Sequence, residues 1–439
     1  MTYAEAEARL LGLRGGEQTG LHPGLARIET MLEALGNPER AYRIVQVGGT
    51  NGKGSIAAML ASIGSAAGLR TGLYTSPHLR SFRERIRVDG HAIAPADVVD
   101  GVDAIGTMVA RLDASMFEAA TALALDHFAR QSVDLAVLEV GLGGRLDATT
   151  VGCPEVEVLG PIDYDHQQWL GSTLEAIAGE KAAIIRKGVA LSARQAPAAE
   201  AVLARRAAEA GVPLLFEGRE LRAAARAHSL DAQVVDLAGP DWRFDGTECA
   251  LLGSYQPANA VLAAAAAHAL GLGEGAVRRG LAAARWPGRF QVIRPRAAGE
   301  PVLVLDGAHN PAGARALAAS LADYFPGQPV TFVLAIFADK DRAGILSALA
   351  PLAARFVVTA LDSPRAGRPE DLAAVAAPHA AGLPHGVQVA TSPAAALALA
   401  TRPARTPVVC VAGSLHLMGA VLAELGQTLE ILYPAPESG

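Results

Sequence analysis

RIVQVGGTNGKGS, residues Arg43–Ser55, is the segment from which the architecture of this 439-residue chain can be worked out. It begins with a short apolar run of strand type, Ile44 to Val47, which Gly48 and Gly49 interrupt. Apolar residues at helical spacing follow, at positions 56, 59, 60 and 63. A strand, a glycine-rich turn and a helix start cradle a phosphate, because backbone N–H groups and the helix N-terminus face the anion and a lysine adds a mobile charge. The segment therefore predicts a phosphate-binding loop.

The loop departs from the common G-x-x-x-x-G-K-[ST] pattern. Val47 precedes the first glycine, Gly48, and Gly54 stands between Lys53 and Ser55. A plain glycine turn is the alternative interpretation, but the strand-to-helix context favours a phosphate loop of a particular subtype. Since no hydroxyl residue directly follows Lys53, a magnesium ligand would have to come from another segment.

Composition restricts the class of protein. The length and a hydrophobic content of 51% predict two or three domains with substantial cores. A net charge of −6 without a basic block argues against nucleic acid as the main partner. The first ten residues, MTYAEAEARL, do not form a signal or an anchor, and the most apolar run, Val261–Leu270, is too short for a membrane span. We therefore expect a cytoplasmic protein without a membrane partner. Three widely spaced cysteines predict no metal or redox motif.

Strand-like apolar runs alternate with helical patterns along most of the chain, which indicates parallel sheets with right-handed crossovers. Residues 217–252 are expected to form a small antiparallel sheet, and an irregular stretch at about 287–300 is expected to be a linker. The predicted fold class is α/β. An N-terminal domain at 1–290 would hold the phosphate loop on a parallel sheet, and a smaller Rossmann-like domain would occupy 296–439.

Two local predictions concern the N-terminal domain. Helices are expected at Ala4–Leu11 and Ile28–Leu35, joined by a connection that includes the loop TGLHPG at 19–24. The segment SFRERIRVDG at 81–90 alternates polar and apolar residues, which predicts an amphipathic strand closed by a turn at Asp89-Gly90.

Polar side chains gather at the predicted carboxyl ends of the strands, where open parallel sheets bind ligands. In chain order these residues are Lys53, Thr75, Ser76, Glu139, Asp163, Asp165, His166, Asp306, His309, Asn310, Ser414 and His416. Any one of them alone could be a turn residue or a helix cap. Five or six such strand ends beside a phosphate loop indicate a ligand site instead.

Three of these side chains suit a magnesium nucleotide. Mg²⁺ prefers hard oxygen ligands and accepts an occasional imidazole. Ser76, Glu139 and His166, from three neighbouring strand ends, would supply a hydroxyl, a carboxylate and a ring nitrogen. Taken alone, His166 could equally be a capping or loop histidine.

Nine motifs point to a known family: VGGTNGKGS, LYTSPHLRSFRERIRVDG, LEVGLGGRLDAT, DHQQWLG, EKAAII, PGRF, LDGAHNP, DKD and GSLHL. In this order they resemble folylpolyglutamate synthase and dihydrofolate synthase, which belong to the Mur-type amide ligases. The resemblance runs from about residue 22 to about residue 425. EVGLGGRLDAT together with DGAHNP is highly specific, whereas the phosphate loop marks only the wider superfamily.

The resemblance implies ATP-driven amide formation. ATP would convert a carboxylate into an acyl phosphate, which the amine of L-glutamate attacks to give an amide, ADP and phosphate. Such a catalyst chiefly positions anions and neutralises their charge. The implied ATP-binding residues are Thr50, Asn51, Gly52, Lys53, Gly54, Ser55, Asn259, Arg289 and Asp306.

The resemblance also implies a metal centre and catalytic side chains. Ser76, Glu139 and His166 would ligate two magnesium ions. Lys181 matches a lysine that family members carboxylate with CO2 to form an anion, which arginine could not become; a salt-bridged helix lysine is the alternative. The implied catalytic set, which includes the residues matched to the incoming glutamate, is Lys181, Asp306, His309 and Ser414.

The acceptor, a folate or dihydropteroate, is expected near Phe117, Glu118 and the turn Leu146-Asp147-Ala148. An exposed Phe117 would stack on the flat heterocycle and Glu118 would accept its N–H groups. A phenylalanine at helical spacing is more often part of a core, so that alternative stays open.

Some positions depart from the family pattern. Thr150 stands where members carry Asn, Gly160-Pro161 replaces small hydroxyl residues, and the loop DASMFE at 113–118 matches neither the bifunctional nor the glutamate-extending subtype. The choice between dihydropteroate and reduced folate is therefore open. The alternatives are a Mur-type ligase for another carboxylate, a non-catalytic ATP-binding regulatory protein and a small-molecule kinase. We expect a monomer.

Overall fold

The computed structural model describes residues 1–14, 24–363, 365–402 and 405–433. Apart from Gly24, the predicted loop at 19–24 lies outside the described residues. The helices are α1 (Tyr3–Leu11), α2 (Ala26–Ala34), α3 (Lys53–Ala66), α4 (Pro95–Leu112), α5 (Met116–Arg130), α6 (Gln167–Leu170), α7 (Leu174–Ala182), α8 (Pro197–Ala210), α9 (Gln256–Ala269), α10 (Glu274–Ala283), α11 (Pro311–Tyr324), α12 (Arg342–Leu349), α13 (Pro369–Ala376), α14 (Pro393–Thr401), α15 (Leu415–Glu424) and α16 (Leu429–Leu432).

Four short 3₁₀ helices and seventeen strands complete the described secondary structure. The 3₁₀ helices are Pro38–Arg40, Phe82–Arg85, Ala350–Leu352 and Ala377–Ala380. The strands are β1 (Arg43–Gly48), β2 (Thr71–Tyr74), β3 (Ile86–Val88), β4 (His91–Ala92), β5 (Leu135–Glu139), β6 (Val156–Leu159), β7 (Val189–Ser192), β8 (Leu214–Phe216), β9 (Arg222–His228), β10 (Gln233–Ala238), β11 (Arg243–Cys249), β12 (Gln291–Ile293), β13 (Val302–Leu305), β14 (Val330–Leu334), β15 (Ala353–Thr359), β16 (Val387–Ala390) and β17 (Val408–Ala412).

The N-terminal sheet has eight strands in the order β4-β3-β2-β5-β1-β6-β7-β8. Strand β1 lies inside it, parallel to β5 and β6, with Val47 opposite both Glu139 and Val158. Its apolar residues are almost completely buried, as expected for a strand covered on both faces. The carboxyl ends of β2, β5, β1 and β6 therefore meet at one edge of the sheet, which is where the sequence predicts a ligand site.

Hydrophobic cores on the two faces of this sheet hold it between helices. One core includes residues of α3, α9 and α10, and the other includes residues of α4 and α5. Strands β9, β10 and β11 form the separate three-stranded antiparallel sheet that was predicted within residues 217–252. No described helix is both long and apolar enough to cross a membrane.

The C-terminal sheet has six strands in the order β12-β13-β17-β14-β15-β16. All neighbouring pairs are parallel except β12 and β13. The predicted α/β fold class is confirmed. The prediction of an irregular linker at 287–300 is wrong in part, because Gln291–Ile293 forms β12, whose Val292 pairs with Val304 at the edge of the sheet.

The prediction of one amphipathic strand at 81–90 is also wrong in part. Phe82–Arg85 forms a 3₁₀ helix, because Ser81 and Glu84 make a capping box that favours a helical turn. Only the residues after it are extended, and the two short strands β3 and β4 flank the predicted Asp89-Gly90 turn.

Candidate active site

The phosphate loop joins β1 to α3 through two residues with left-handed backbone angles. Gly49 has φ of 125° and Gly52 has φ of 81°, which glycine adopts without strain. The loop lies directly on the β6 end of the sheet: a side chain on Gly49 would meet the backbone nitrogen of Gly160 at 2.9 Å. The carbonyl oxygen of Pro161 accepts hydrogen bonds from the backbone N–H groups of Thr50 and Asn51, at 2.9 and 3.2 Å.

Two lysines converge beneath this loop. Lys53 Nζ donates to the carbonyl oxygens of Gly49 and Thr50, at 3.3 and 3.2 Å. Lys181, on α7, is almost completely buried and donates from Nζ to the same carbonyl of Gly49 at 3.0 Å. Burial lowers the pKa of Lys53, and burial together with the charge of Lys53 lowers the pKa of Lys181 to about 7. Near neutral pH a substantial fraction of Lys181 is therefore a neutral amine.

Helix α9 contacts the start of α3 through a chain of side-chain hydrogen bonds. Gln256 donates to Ser55 Oγ at 3.3 Å and accepts from Asn259 Nδ2 at 2.8 Å. The oxygen of Asn259 lies close to Gly52, since a side chain there would meet it at 2.7 Å. The structure thus brings Asn259 against the predicted phosphate loop.

Ser76 and Glu139 lie side by side at the ends of β2 and β5. The backbone N–H of Ser76 donates to Glu139 Oε2 at 3.1 Å, and both residues line one small pocket. Burial raises the pKa of Glu139, an effect that the nearby charges of Lys53 and Arg289 oppose. Two of the predicted metal ligands are therefore neighbours.

His166 lies on the connection after β6, which β1 separates from β5, and it has a left-handed φ of 50° at the start of α6. Its Nε2 atom is 3.9 Å from a carboxylate oxygen of Asp165. Burial lowers its pKa to about 4, so the ring is neutral at neutral pH. Within the described parts of the chain, no three histidine, cysteine or acidic side chains cluster as a metal site by themselves.

Asp165, predicted only as one of the strand-end residues of the ligand site, joins the two domains. It accepts a hydrogen bond from Asn310 Nδ2 at 3.1 Å, lies 3.4 Å from His309 Nε2 and forms an ion pair with Lys340. Burial would raise the pKa of Asp165, but the hydrogen bond from His309 and the charges of His166 and Lys340 hold that pKa far below its usual range. The motifs DHQQWLG and DKD, which contain Asp165 and Lys340, are the sequence signal that could have pointed to this contact.

Asn51 of the phosphate loop and Asn310 of the motif DGAHNP bond to each other. Asn310 Nδ2 donates to Asn51 Oδ1 at 3.1 Å, and Asn51 Nδ2 lies 3.4 Å from Asn310 Oδ1. Asn310 also caps α11 by accepting from the N–H of Gly313. These contacts place the end of β13 next to the phosphate loop.

Asp306 has a structural role in addition to its predicted one. Its carboxylate accepts hydrogen bonds from the Tyr255 hydroxyl at 2.8 Å and from the N–H groups of Phe290 and Ala308 at 2.9 and 2.8 Å. Burial raises its pKa, while the charge of Arg289 acts in the opposite direction. Asp306 therefore ties α9 and the interdomain connection to the C-terminal sheet.

The two residues matched to glutamate lie in the C-terminal domain. His309 Nδ1 is 2.8 Å from the carbonyl oxygen of Gly307, and its Nε2 faces Asp165. Ser414 is buried and accepts a hydrogen bond from the N–H of Leu417 at 3.1 Å, so it caps α15. The strand ends of the two domains are thus joined through Asp165.

The expectation that Phe117 is exposed is wrong, and Glu118 beside it already has hydrogen-bond partners. Glu118 is buried, and it accepts hydrogen bonds from Arg27 at 2.9 Å and from Ser115 at 2.8 Å. Ser115 and Glu118 form the capping box of α5, which explains why the carboxylate turns inward. Phe117 is half-buried, and it closely approaches Gly141.

The predicted acceptor turn is held by Asp147. Its buried carboxylate accepts from the N–H groups of Leu142 and Thr149 at 2.9 and 3.0 Å. Leu146 is partly exposed and Ala148 is buried beside it. This turn lies on the connection that follows β5, the strand that ends at the predicted metal ligand Glu139.

Thr150, which departs from the family pattern, fits the same connection. Its hydroxyl donates to the carbonyl of Gly144 at 2.7 Å and accepts from Gln46 Nε2 at 2.8 Å. The hydroxyl is therefore part of the hydrogen bonding that holds the loop.

Comparisons with known proteins agree with this layout. Residues 47–267 match the Mur ligase middle domain, and residues 288–415 match the Mur ligase glutamate ligase domain. The chain is 40% identical over 387 residues to a dihydrofolate synthase/folylpolyglutamate synthase from Mycobacterium tuberculosis, an alignment that covers 82% of this chain and 78% of that protein.

Two solved structures are similar over almost the whole chain. Mycobacterium tuberculosis folylpolyglutamate synthase complexed with ADP has a TM-score of 0.90 and 36% identity, with 97% of this chain and 98% of that chain covered. Escherichia coli FolC in complex with DHPP and ADP has a TM-score of 0.87 and 30% identity, with the same coverage.

Proposed function

The chain belongs to the folylpolyglutamate and dihydrofolate synthase group of the Mur ligase family, and from this membership we propose how its site performs ATP-dependent ligation. It is an ATP-dependent ligase that adds L-glutamate to a folate-type acceptor. The carboxylate of the acceptor attacks the γ-phosphate of ATP, ADP leaves, and an acyl phosphate forms. The amine of glutamate then attacks the acyl carbon, phosphate leaves, and the amine proton passes to a base or to water.

One observation supports the proposed placement of these steps above all others. The reciprocal contact between Asn51 and Asn310 joins the phosphate loop of one domain to the DGAHNP motif of the other. Nucleotide, acyl group and incoming amine must meet within a few ångströms for both displacements to occur. We therefore place the reaction in the cleft beside this contact.

ATP is proposed to bind along the phosphate loop, with Thr50–Ser55 around the phosphates. Lys53 already lies beneath the loop, where desolvation strengthens its attraction for a phosphate anion. Asn259 touches the loop, and Arg289 lines the same pocket as Glu139. With Asp306, which fixes the backbone next to Arg289, these residues complete the proposed nucleotide site.

Magnesium is proposed to be held by Ser76, Glu139 and His166. These residues fit the metal, because Ser76 and Glu139 line one pocket and the pKa of His166 leaves its ring neutral. When bound, Mg²⁺ would neutralise charge on the transferred phosphate. The protein contributes the fixed hydrogen bond from Ser76 N–H, which orients the Glu139 carboxylate.

Lys181 is proposed to react with CO2. Its buried amine has a pKa of about 7, so the nucleophilic free base is present at neutral pH. The nitrogen forms a bond to the carbon of CO2 and loses one proton, which gives a carbamate anion. An anion there would pair with Lys53, whose ammonium group shares the Gly49 carbonyl.

The acceptor is proposed to lie along the connection after β5, near Phe117, Glu118 and the Leu146–Ala148 turn. Since the Glu118 carboxylate is already bonded to Arg27 and Ser115, its proposed role is to shape this surface. Glutamate is proposed to bind near His309 and Ser414. We further propose a cytoplasmic monomer whose partners are these small molecules alone, in keeping with its net charge of −6.

Acceptor profiling tests the proposal. The purified chain is incubated with ATP, Mg²⁺ and L-glutamate, and either dihydropteroate or tetrahydrofolate is added. The expected result is a product heavier by one glutamyl unit, with one phosphate released per amide. A Mur-type ligase for another carboxylate would give neither, a kinase would give a phosphorylated product without an amide, and a regulatory protein would release no phosphate with either acceptor.

A further inference from the structure

Arg87, on β3, is a buried arginine without the hydrogen bonds that such a group usually makes. Its side chain is 3% exposed, and neither Nε nor Nη2 has a hydrogen-bond partner among the described residues. Its guanidinium lies instead between two aromatic rings, 4.8 Å from the centroid of Trp286 and 4.5 Å from that of Tyr433. Both distances are within the range of a cation–π interaction, which is strongest when the cation is desolvated.

Trp286 connects this stack to the phosphate loop. Its indole lies on the first turn of α3, where a side chain on Gly54 would meet Cζ2 at 2.5 Å. Gly54 is the residue that separates Lys53 from Ser55, so the unusual loop sequence has a physical reason: a larger residue would displace the indole. Trp286 also begins the interdomain connection that leads to Arg289.

Tyr433 connects the stack to the C-terminal domain. It follows α16, whose Leu432 is buried in the core of that domain. Burial raises the pKa of Tyr433, so its ring is a neutral phenol facing the guanidinium. Trp286, Tyr433, Arg289 and Glu139 all line the same pocket between the domains.

We propose that Arg87 is a positioning residue for the ligase: by stacking between Trp286 and Tyr433 it sets the indole against the phosphate loop and fixes where Arg289 meets the nucleotide. This inference rests on the proposed function. Unpartnered buried N–H groups destabilise a fold, so the stacking must offset that cost. The Arg87 side chain thereby holds together β3, the start of the interdomain connection at Trp286 and the segment after α16 at Tyr433.

The first measurement is the fluorescence of Trp286. The chain has three tryptophans, so Trp169→Phe and Trp242→Phe together leave Trp286 as the single emitter. ADP and a non-hydrolysable ATP analogue are titrated into this parent and into the same protein carrying Arg87→Met or Arg87→Lys. We expect nucleotide to change the emission in the parent, the change to be lost with Met, and most of it to be retained with Lys, which keeps a cation over the rings.

The second measurement is steady-state kinetics. Arg87→Met should raise KM for ATP about tenfold, because a desolvated cation–π contact is of that order. Arg355→Met is the matched control: Arg355 is 1% exposed, but it lies in the C-terminal sheet and donates to Gln388. The control should lower thermal stability while leaving the ATP KM and the Trp286 response unchanged.

The outcomes separate this inference from the proposed function. Nucleotide titration needs no acceptor. If the protein forms no amide, the proposed function is contradicted, but the titration still tests the role of Arg87. The positioning role is overturned if nucleotide leaves Trp286 emission unchanged in the parent, if Arg87→Met keeps the parental response and ATP KM, or if Arg355→Met changes both in the same way.

Discussion

Lys181 Nζ lies 3.0 Å from the carbonyl oxygen of Gly49, an acceptor that it shares with Lys53 Nζ at 3.3 Å. Burial lowers the pKa of both amines, and the positive charge of Lys53 lowers the pKa of Lys181 further, because two charged amines beside one carbonyl repel each other. An anion bound to either amine relieves this repulsion. The arrangement therefore suits a phosphate at Lys53 and a carbamate at Lys181.

Replacing Lys181 should separate ATP binding from amide formation. Lys181→Ala removes the proposed anion but leaves Lys53 bonded to the Gly49 carbonyl, so kcat should fall by about 10²- to 10³-fold, the range for loss of one preorganised electrostatic group. ADP binding, measured by calorimetry, should change by about twofold or less. Carbon-13 NMR with labelled CO2 should show a carbamate signal in the wild type that the variant lacks.

Two matched variants control this result. Lys187→Ala removes an exposed lysine just beyond α7 and should behave as wild type. Lys181→Arg keeps a positive charge but cannot form the carbamate, and it should be as inactive as the alanine variant. Full activity in Lys181→Arg would contradict the carbamate.

Asp165 and Lys340 form a buried ion pair that should stabilise the interdomain contact. Asp165→Asn leaves the ammonium group, 8% exposed, without its counter-charge, so the free energy of unfolding should fall by about 3 kcal/mol. Adding Lys340→Met to this variant removes the uncompensated charge and should restore most of the loss. Urea unfolding followed by circular dichroism measures both changes.

Asp163→Asn provides the comparison, since Asp163 pairs with Arg315, whose side chain is 62% exposed. A surface pair of this kind contributes about 0–1 kcal/mol. Equal destabilisation by the two aspartate substitutions would show that Asp165 has no special part in joining the domains.

The N-terminal sheet was predictable because its signals are local. The apolar run of β1, the glycines after it and the helical spacing in α3 fix one strand–loop–helix unit, and alternation extends the unit into a parallel sheet. Because a parallel sheet brings the carboxyl ends of its strands together, residues at those ends, such as Ser76 and Glu139, were expected to be neighbours. The hydrogen bond between them shows that they are.

What the sequence could not give is the pairing of residues far apart in the chain. The Asp165–Lys340 contact spans 175 residues, and the bond from Arg27 that occupies Glu118 spans 91. The run Gln291–Ile293 is too short to be predicted as a strand from its sequence. It becomes one by pairing with β13. Such features depend on tertiary packing, which local patterns do not encode.

Gly160→Ala should distort the phosphate loop. A methyl group at this position would overlap the carbonyl oxygen of Asn51, so either the loop or the β6 end must move. We expect ATP affinity to fall about tenfold or more, as overpacking of a close contact implies. Gly179→Ala is the control, because nothing lies within 4 Å of that position on α7, and it should bind ATP normally. Normal binding by Gly160→Ala would mean that the loop tolerates the extra methyl group.

Glu157 should make stability depend on pH. It is completely buried, its Oε2 atom has no partner among the described residues, and burial raises its pKa from 4.5 to about 7. The folded protein therefore holds this proton more tightly than the unfolded chain. The resulting stabilisation is complete below pH 4.5 and disappears as the pH rises to about 7, a change of about 3 kcal/mol. Glu157→Gln cannot titrate, so the wild type should lose that amount of unfolding free energy relative to the variant across this pH window, as measured by urea unfolding.

Glu155→Gln is the control, because Glu155 is an exposed glutamate whose pKa is lowered by Arg43. This substitution should produce no such change above pH 4.5. An equal effect from both variants would contradict the assignment to Glu157.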